Sequence, residues 1–417
     1  MKHTPRLWTV AACSLLVASL GAAATACGTK DNPLTAPPRD AGDQVTFNQG
    51  AGGRPVDPDR PLEVRTTAAE NRITDVTATD THGRRLAGEL SAKGDRWHST
   101  APLAAGVRYQ VSVATENAEG APGHRVMAFD TTPALKVLKV EFGPDAGKYG
   151  VGQPITAELS EPVKDKAARA IIERGLVVDA RPAPVEGAWH WVDANKLHFR
   201  PKDYWPANST VTVRNNLEGI RIAPDLHGAT GKNLSLEIGD RVEAITDASS
   251  HYMTFKVNGE VVNTIPITTG KPGFSTRNGV KVVLGKEYYV RMRGTSVGIS
   301  AASSEGYDLP VYYATRVTWS GEYVHAAPWS VGSQGYENVS HGCTGMSTGN
   351  AAWFYENIRE GDIVKVVGSI GEDMDPFGNG YGDWNVDWKD WREGSALLKG
   401  TQEGRSPIDQ ARLRPNI

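Results

Sequence analysis

Cysteine is scarce: three residues in 417, too few for a disulfide framework. Surplus positive charge is missing as well. With 45 Lys+Arg against 48 Asp+Glu the formal net charge is −3, which excludes the electrostatic footprint of a nucleic-acid binder. Apolar runs long enough to cross a bilayer occur nowhere after Lys30, which excludes a polytopic membrane protein. No His, Cys, Asp and Glu set has the spacing of zinc ligands, so no metal is expected. What remains is ordinary folded protein, 39% apolar and 22% charged, and a chain too long for one hydrophobic core, so two to four domains are expected.

The first residues, MKHTPR, are basic, and Leu7 to Thr29 carry no charge, the layout of an export signal. Small residues Ala24, Thr25 and Ala26 directly before Cys27 resemble a bacterial lipobox. Two outcomes fit: cleavage before Cys27 with lipid on its sulfur, which is favoured, or an uncleaved span. Either places the body outside the cytoplasm, and the first makes it a lipoprotein anchored to the outer face of the cell membrane. Cys13 falls within the signal and Cys27 is the anchor, so one thiol, Cys343, is left. An exported chain that keeps one unpaired Cys, flanked by Gly342, Thr344 and Gly345 rather than by an apolar run, points to a reactive thiol.

Residues 1–26 are thus read as signal peptide and 27–44 as lipid anchor and Pro-, Asp- and Gly-rich linker. Residues 45–133 hold short alternating segments such as ITDVTAT and YQVSVAT, and 134–240 repeat the style with ITAEL, KLHFRP and STVTVRN. The order strand, Pro-bearing turn, alternating strand recurs around Trp97 and Phe199, as a duplicated small immunoglobulin-like β-sandwich would give. Trp189, Trp191, Tyr204 and Trp205 are expected in the core rather than on a carbohydrate-stacking face. A third, mainly β domain over 241–370 opens with HYMTFKVNGEVVNTIPI, where Asn258-Gly259 demands a type I′ hairpin turn. Its one helix candidate is TGNAAWFYENIRE, stopped by Gly361. A Trp-rich extension, 371–417, brings Trp384, Trp388 and Trp391 back onto the body.

The chemistry concentrates in VHAAPWSVGSQGYENVSHGCTGM. A thiol attacks as thiolate, and an imidazole nearby can take its proton and return it to a leaving amine. Either His325 or His341 fits that role by residue type. His341 stands two residues from Cys343 with little freedom to aim its ring, whereas His325 arrives from another strand.

His325, then Ser340-His341-Gly342-Cys343, resembles the signature of the L,D-transpeptidase (YkuD-type) catalytic domain, and GKPGFSTRNGVKVV, SGEYVHAAPWSVGSQG and GDWNVDW resemble its actinobacterial lipoprotein members. The resemblance implies two immunoglobulin-like sandwiches ahead of a mainly β enzyme, with Cys343 as nucleophile and His325 as base. It further implies that the Ala326 carbonyl fixes the imidazole tautomer and that the amides of Gly342 and Cys343 form an oxyanion hole. Tyr307 matches a lid tyrosine and Met292 a pocket-lining methionine, while Ser340 and His341 shape the turn that presents the thiol. Trp329 either walls the substrate groove or is a buried aromatic. One position departs from the pattern: Gly345 stands where many members have Asn.

By the same resemblance the substrates are peptidoglycan stem peptides, joined by 3→3 cross-links through a Cys343 thioester with release of D-alanine. No cofactor is needed, and β-lactams of the carbapenem class are covalent inhibitors. An L,D-carboxypeptidase, with water in place of the acceptor amine, and an inactive wall-binding module remain alternatives at this point.

Overall fold

The computed structural model describes residues 39–50 and 52–397; the signal-like segment, Cys27 and the residues beyond 397 lie outside them. In the first sandwich, alternation along Arg108–Glu116 turns Tyr109, Val111 and Val113 inward, as a half-buried strand requires. One sheet orders Arg39–Asp40, Pro122–Asp130, Arg108–Glu116 and Arg72–Asp80; the other orders Val45–Phe47, Glu63–Thr66, Arg96–Ser99 and Gly88–Leu90. Val64, Ile73, Trp97 and Phe129 close the core between them.

The second sandwich, again immunoglobulin-like, packs two four-stranded sheets around Trp189, Trp191, Trp205 and Phe199. These tryptophans are core, as their neighbours in sequence predict. The helix α1, Lys166–Gly175, is an element that the mostly-strand reading of this block does not include. Asp165 caps it by accepting from the Ala168 amide at 2.8 Å, and Ala168 and Ile172 bury the face four residues apart. The sequence carried that signal in DKAARAII, hidden among strands.

The third domain faces a five-stranded sheet with a four-stranded one. In the five-stranded sheet Tyr252–Val257 turns back into Glu260–Pro266 through Asn258 (φ 51°) and Gly259 (φ 89°), the positive pair that a type I′ turn requires. Helix α2, Thr348–Asn357, is capped by Ser347 and places Phe354 and Ala351 among Phe255, Val324 and Met346. It ends at Asn357 rather than Gly361, because Ile358 turns extended and buries its own side chain. Its buried face runs through Ala351 and Phe354.

Residues 371–397 form a strap. Asn385 brackets the Val280 backbone of the catalytic sheet, with bonds of 2.7 and 2.9 Å. A few residues on, helix α3, Trp388–Glu393, lies against the second sandwich, where Trp391 is fully buried and donates to the Ala188 carbonyl at 2.9 Å. The Arg200 guanidinium lies 4.8 Å from the Trp384 ring and 4.5 Å from that of Trp391. The sequence expectation that the tryptophans fold back is met, with the second sandwich as their bed.

Candidate active site

Strand Tyr323–Ala326 pairs in parallel with Thr344–Met346, setting His325 beside Gly345. Cys343 stands two residues before Gly345, and a period of two returns it to the same face. Both line a cavity of about 270 Å³, together with Met292, Tyr307, Trp329, Ser340 and His341. The candidate catalytic and substrate-binding residues read from the sequence therefore converge here, with Ala326 and Gly342 contributing backbone from the lining strand and turn, while Cys27 lies outside the described residues.

The imidazole is buried, and its Nδ1 lies 2.8 Å from the Ala326 carbonyl oxygen. A carbonyl can only accept, so Nδ1 carries the proton and Nε2, with no partner among the described residues, is the basic nitrogen. Burial depresses the imidazole's proton affinity below the ordinary range. Burial also pushes the Cys343 thiol up to about 11, against a lowering hydrogen bond from the Tyr323 amide; Glu322 raises it further and Lys281 opposes. At rest, then, both members are neutral, and the thiol reaches the Gly321 carbonyl at 3.6 Å rather than the imidazole.

The turn before the thiol is held from three sides. Ser340 Oγ donates to the Cys343 carbonyl at 2.6 Å and accepts from the Gly342 amide at 3.2 Å. Thr276 Oγ1 donates to the Gly342 carbonyl at 2.8 Å. Gly342 has φ +117°, a conformation in which a side chain would be strained, so the turn that presents the thiol requires glycine. In this state the Gly342 amide is thus engaged by Ser340, while the Cys343 amide has no partner among the described residues.

His341 is drawn away from the thiol. Its Nε2 lies 2.6 Å from Glu305, which also pairs with Lys271 at 2.6 Å, and the Tyr307 ring lies 5.1 Å from the imidazole. Glu305 and Tyr307 belong to one loop after the short turn Gly294–Val297, so this contact fastens the loop over the cavity. Sequence reasoning passed over Glu305 and Lys271. Trp329 is 53% exposed with its ring 6.0 Å from that of His325, so it walls the groove and is not a buried aromatic.

Also unforeseen is the ion pair between Lys281, fully buried, and Glu322, with Arg277 adding a contact of 3.0 Å to the same carboxylate. Glu322 lies between Gly321 and Tyr323, the two residues whose backbones hold the thiol. Alternating charge in sequence gives no hint of such a pair; the sheet packing brings it together. Among the described residues no group of three His, Cys, Asp or Glu side chains is placed to hold a metal ion.

Residues 241–366 match the L,D-transpeptidase catalytic domain and residues 54–221 a bacterial Ig domain. L,D-transpeptidase 2 of Mycobacterium tuberculosis is 36% identical over 353 residues, covering 84% of each chain. The chain belongs to the L,D-transpeptidase family. L,D-transpeptidase 1 of the same species is 39% identical over 219 residues, 52% of this chain and 80% of that one. A solved LD transpeptidase in complex with imipenem is 37% identical, with a TM-score of 0.48, and covers 55% of this chain and 99% of its own. As an L,D-transpeptidase the protein is an acyltransferase, and a cysteine nucleophile is typical of the family; Cys343 is the one free thiol among the described residues.

Proposed function

We propose that this L,D-transpeptidase cross-links peptidoglycan by a two-step acyl transfer at Cys343. The observation that carries the reading is the fixed tautomer of His325, whose unpartnered Nε2 lines the same cavity as the thiol. In the first step Nε2 takes the thiol proton as sulfur attacks the carbonyl of the third residue of a tetrapeptide stem. The tetrahedral oxyanion forms near the free Cys343 amide, with the Gly342 amide joining if Ser340 yields it. Collapse breaks the amide bond, and the imidazolium returns its proton to the departing D-alanine amine, leaving a thioester. In the second step a side-chain amine of a neighbouring stem attacks the thioester carbonyl. Neutral His325 takes the amine's proton and delivers it to the sulfur, giving a 3→3 link.

Neutral resting partners suit this cycle, because the thiolate is needed only when a donor carbonyl is in place. Incubation of the purified enzyme with tetrapeptide stems, followed by mass spectrometry, tests the reading. Cross-linked dimers and an acyl adduct on Cys343 are expected; trimmed tripeptide without dimers would make it an L,D-carboxypeptidase.

The same thiol and amide set fits a strained β-lactam carbonyl, so carbapenems acylate Cys343 in this reading, adding one drug mass that is absent from Cys343→Ala. Supporting an anchored, extracytoplasmic enzyme are the uncharged Leu7–Thr29 stretch and the small residues before Cys27. Cys27→Ala is expected to release the protein from membranes or leave its signal uncleaved.

A further inference from the structure

Away from the thiol, the seam between the two sandwiches encloses a cavity of about 460 Å³, well within the range of small-molecule sites. The first domain supplies the turn around Arg84–Leu86 and the stretch Ala101–Ala104; the second supplies α1 and the segments around Arg214 and Arg221. The walls are fixed to each other. Arg84 Nη1 crosses the seam to donate to the Asn216 and Glu218 carbonyls at 3.1 and 2.7 Å, while its Nε pairs with Asp80 at 2.6 Å. The Ala105 amide donates to the Gly219 carbonyl at 2.8 Å, and Gly219, at φ +70°, has no room for a side chain against Ala105.

Five arginines line this cavity, and the carboxylates neutralise only some of them. Arg84 is paired with Asp80, Arg214 with Asp179, and Arg221 with Asp59 at 3.1 Å. His82 stands beside Glu218. Arg85, from the first domain, reaches only the Thr77 hydroxyl at 2.6 Å, and Arg174, from the last turn of α1, has no carboxylate within ion-pair distance among the described residues. Two unneutralised guanidiniums, one from each domain, thus border a floor made by Leu86, Leu103, Ile171 and Ile220. A guanidinium presents its donors as a planar fork that matches a carboxylate or phosphate, and the floor matches short aliphatic groups.

We infer that the seam between the sandwiches is a binding site for a small anionic ligand with an aliphatic flank. The anion is a carboxylate, as at the end of a stem peptide, or a phosphate ester. Arg85 and Arg174 grip it from opposite domains, so a bound ligand braces the two sandwiches. The peptide source rests on the substrate class proposed above; the anion site itself does not.

Calorimetric titration of the full chain tests this with two probes, inorganic phosphate and a stem tetrapeptide, in Cys343→Ala so that nothing turns over. The comparison is the same chain carrying Arg85→Gln and Arg174→Gln, both outside the catalytic domain. At least one probe is expected to bind at the seam, at least about tenfold more weakly once the arginines are gone, and more weakly as salt rises. Phosphate alone showing that loss assigns a phosphate ester; the tetrapeptide losing one of two sites assigns the peptide end. Equal affinity of both probes for the two proteins, or no binding of either at millimolar concentration, overturns the inference. Turnover with Cys343 intact and both arginines replaced is expected to match wild type, which keeps a failure at the seam separate from a failure of the acyl-transfer reading.

Discussion

Gly345 shows what a single missing side chain does to its surroundings. A Cβ there would meet the Ala327 Cβ at 2.9 Å and Thr268 Cγ2 at 3.2 Å, so the neighbours have closed on the space that a larger residue would need. Thr268 exchanges backbone hydrogen bonds with Gly345 at 2.9 and 2.8 Å, which leaves little slack. Gly345→Asn is therefore expected to destabilise the catalytic domain by about 1–3 kcal/mol through overpacking, and to slow rather than speed acylation. Thermal unfolding and intact-mass acylation rates check both. If Cys343 is the nucleophile as proposed, Cys343→Ala is expected to abolish turnover and adduct, and His325→Ala to leave a folded protein with activity down by about 10² or more. Burial holds His325 neutral below its ordinary value of 6.5, so the acid limb of kcat/KM lies under that pH. The protonated resting thiol makes slow alkylation of the free enzyme an expected property, and acylation by a donor the meaningful readout. Lys281 lowers the thiol's proton affinity and Glu322 raises it. Lys281→Met should move the alkylation profile to higher pH and Glu322→Gln to lower pH. Each single change should cost about 3–5 kcal/mol, with recovery in the double variant. Lost stability with unmoved profiles would leave the pair a structural staple only.

The loop carrying Glu305 and Tyr307 is fastened at its tip by two side-chain contacts of Glu305, to His341 and Lys271. Glu305→Ala is expected to loosen it, raising KM for the donor several-fold more than it lowers kcat, because the loop's Tyr307 lines the cavity while Glu305 itself does not. Steady-state kinetics separates the two parameters. This latch was not legible in the sequence: Glu305 sits among Ser and Gly residues without periodicity, and its partners stand 34 and 36 positions away. That Cys343 and His325 share one cavity was legible because the motif that carries them is local in sequence. The hairpin at Asn258-Gly259 was legible for the same reason, since its backbone angles are dictated by two adjacent residues. Helix α1 was missed because ten residues among strands offer little more than two turns of periodicity, and its cap only matters once the helix exists.

Across the whole molecule, the catalytic domain and second sandwich meet at Gly150 and Gly152, whose amides donate to the Glu360 and Gly361 carbonyls at 2.8 Å. Asp362, next in the chain, is buried there, and burial pushes its carboxyl up to about 7. A carboxyl with a raised folded pKa contributes stability at acid pH that is lost as pH rises through that value. Melting temperature should therefore fall as pH rises from the ordinary carboxyl value of 3.8 to about 7 and level off above it, and Asp362→Asn should flatten the fall. The strap extends the same junction. Trp391→Ala should cost about 3–5 kcal/mol and be felt in the second sandwich, whose Ala188 and His190 it covers. Those partners are about two hundred positions apart in sequence, which bears on how the protein is made. A chain delivered N-terminus first completes both sandwiches' strands long before residues 383–397 appear. Until then His190, Arg200 and the carboxyl of Glu173 lack their cover, since Ser395 and Ala396 supply two of Glu173's donors. Residues 383–397 thus act as a seal on assembly: a chain lacking them would keep every residue of the candidate site yet leave an aromatic-lined, charged surface of the second sandwich open to proteases and to other unfinished chains.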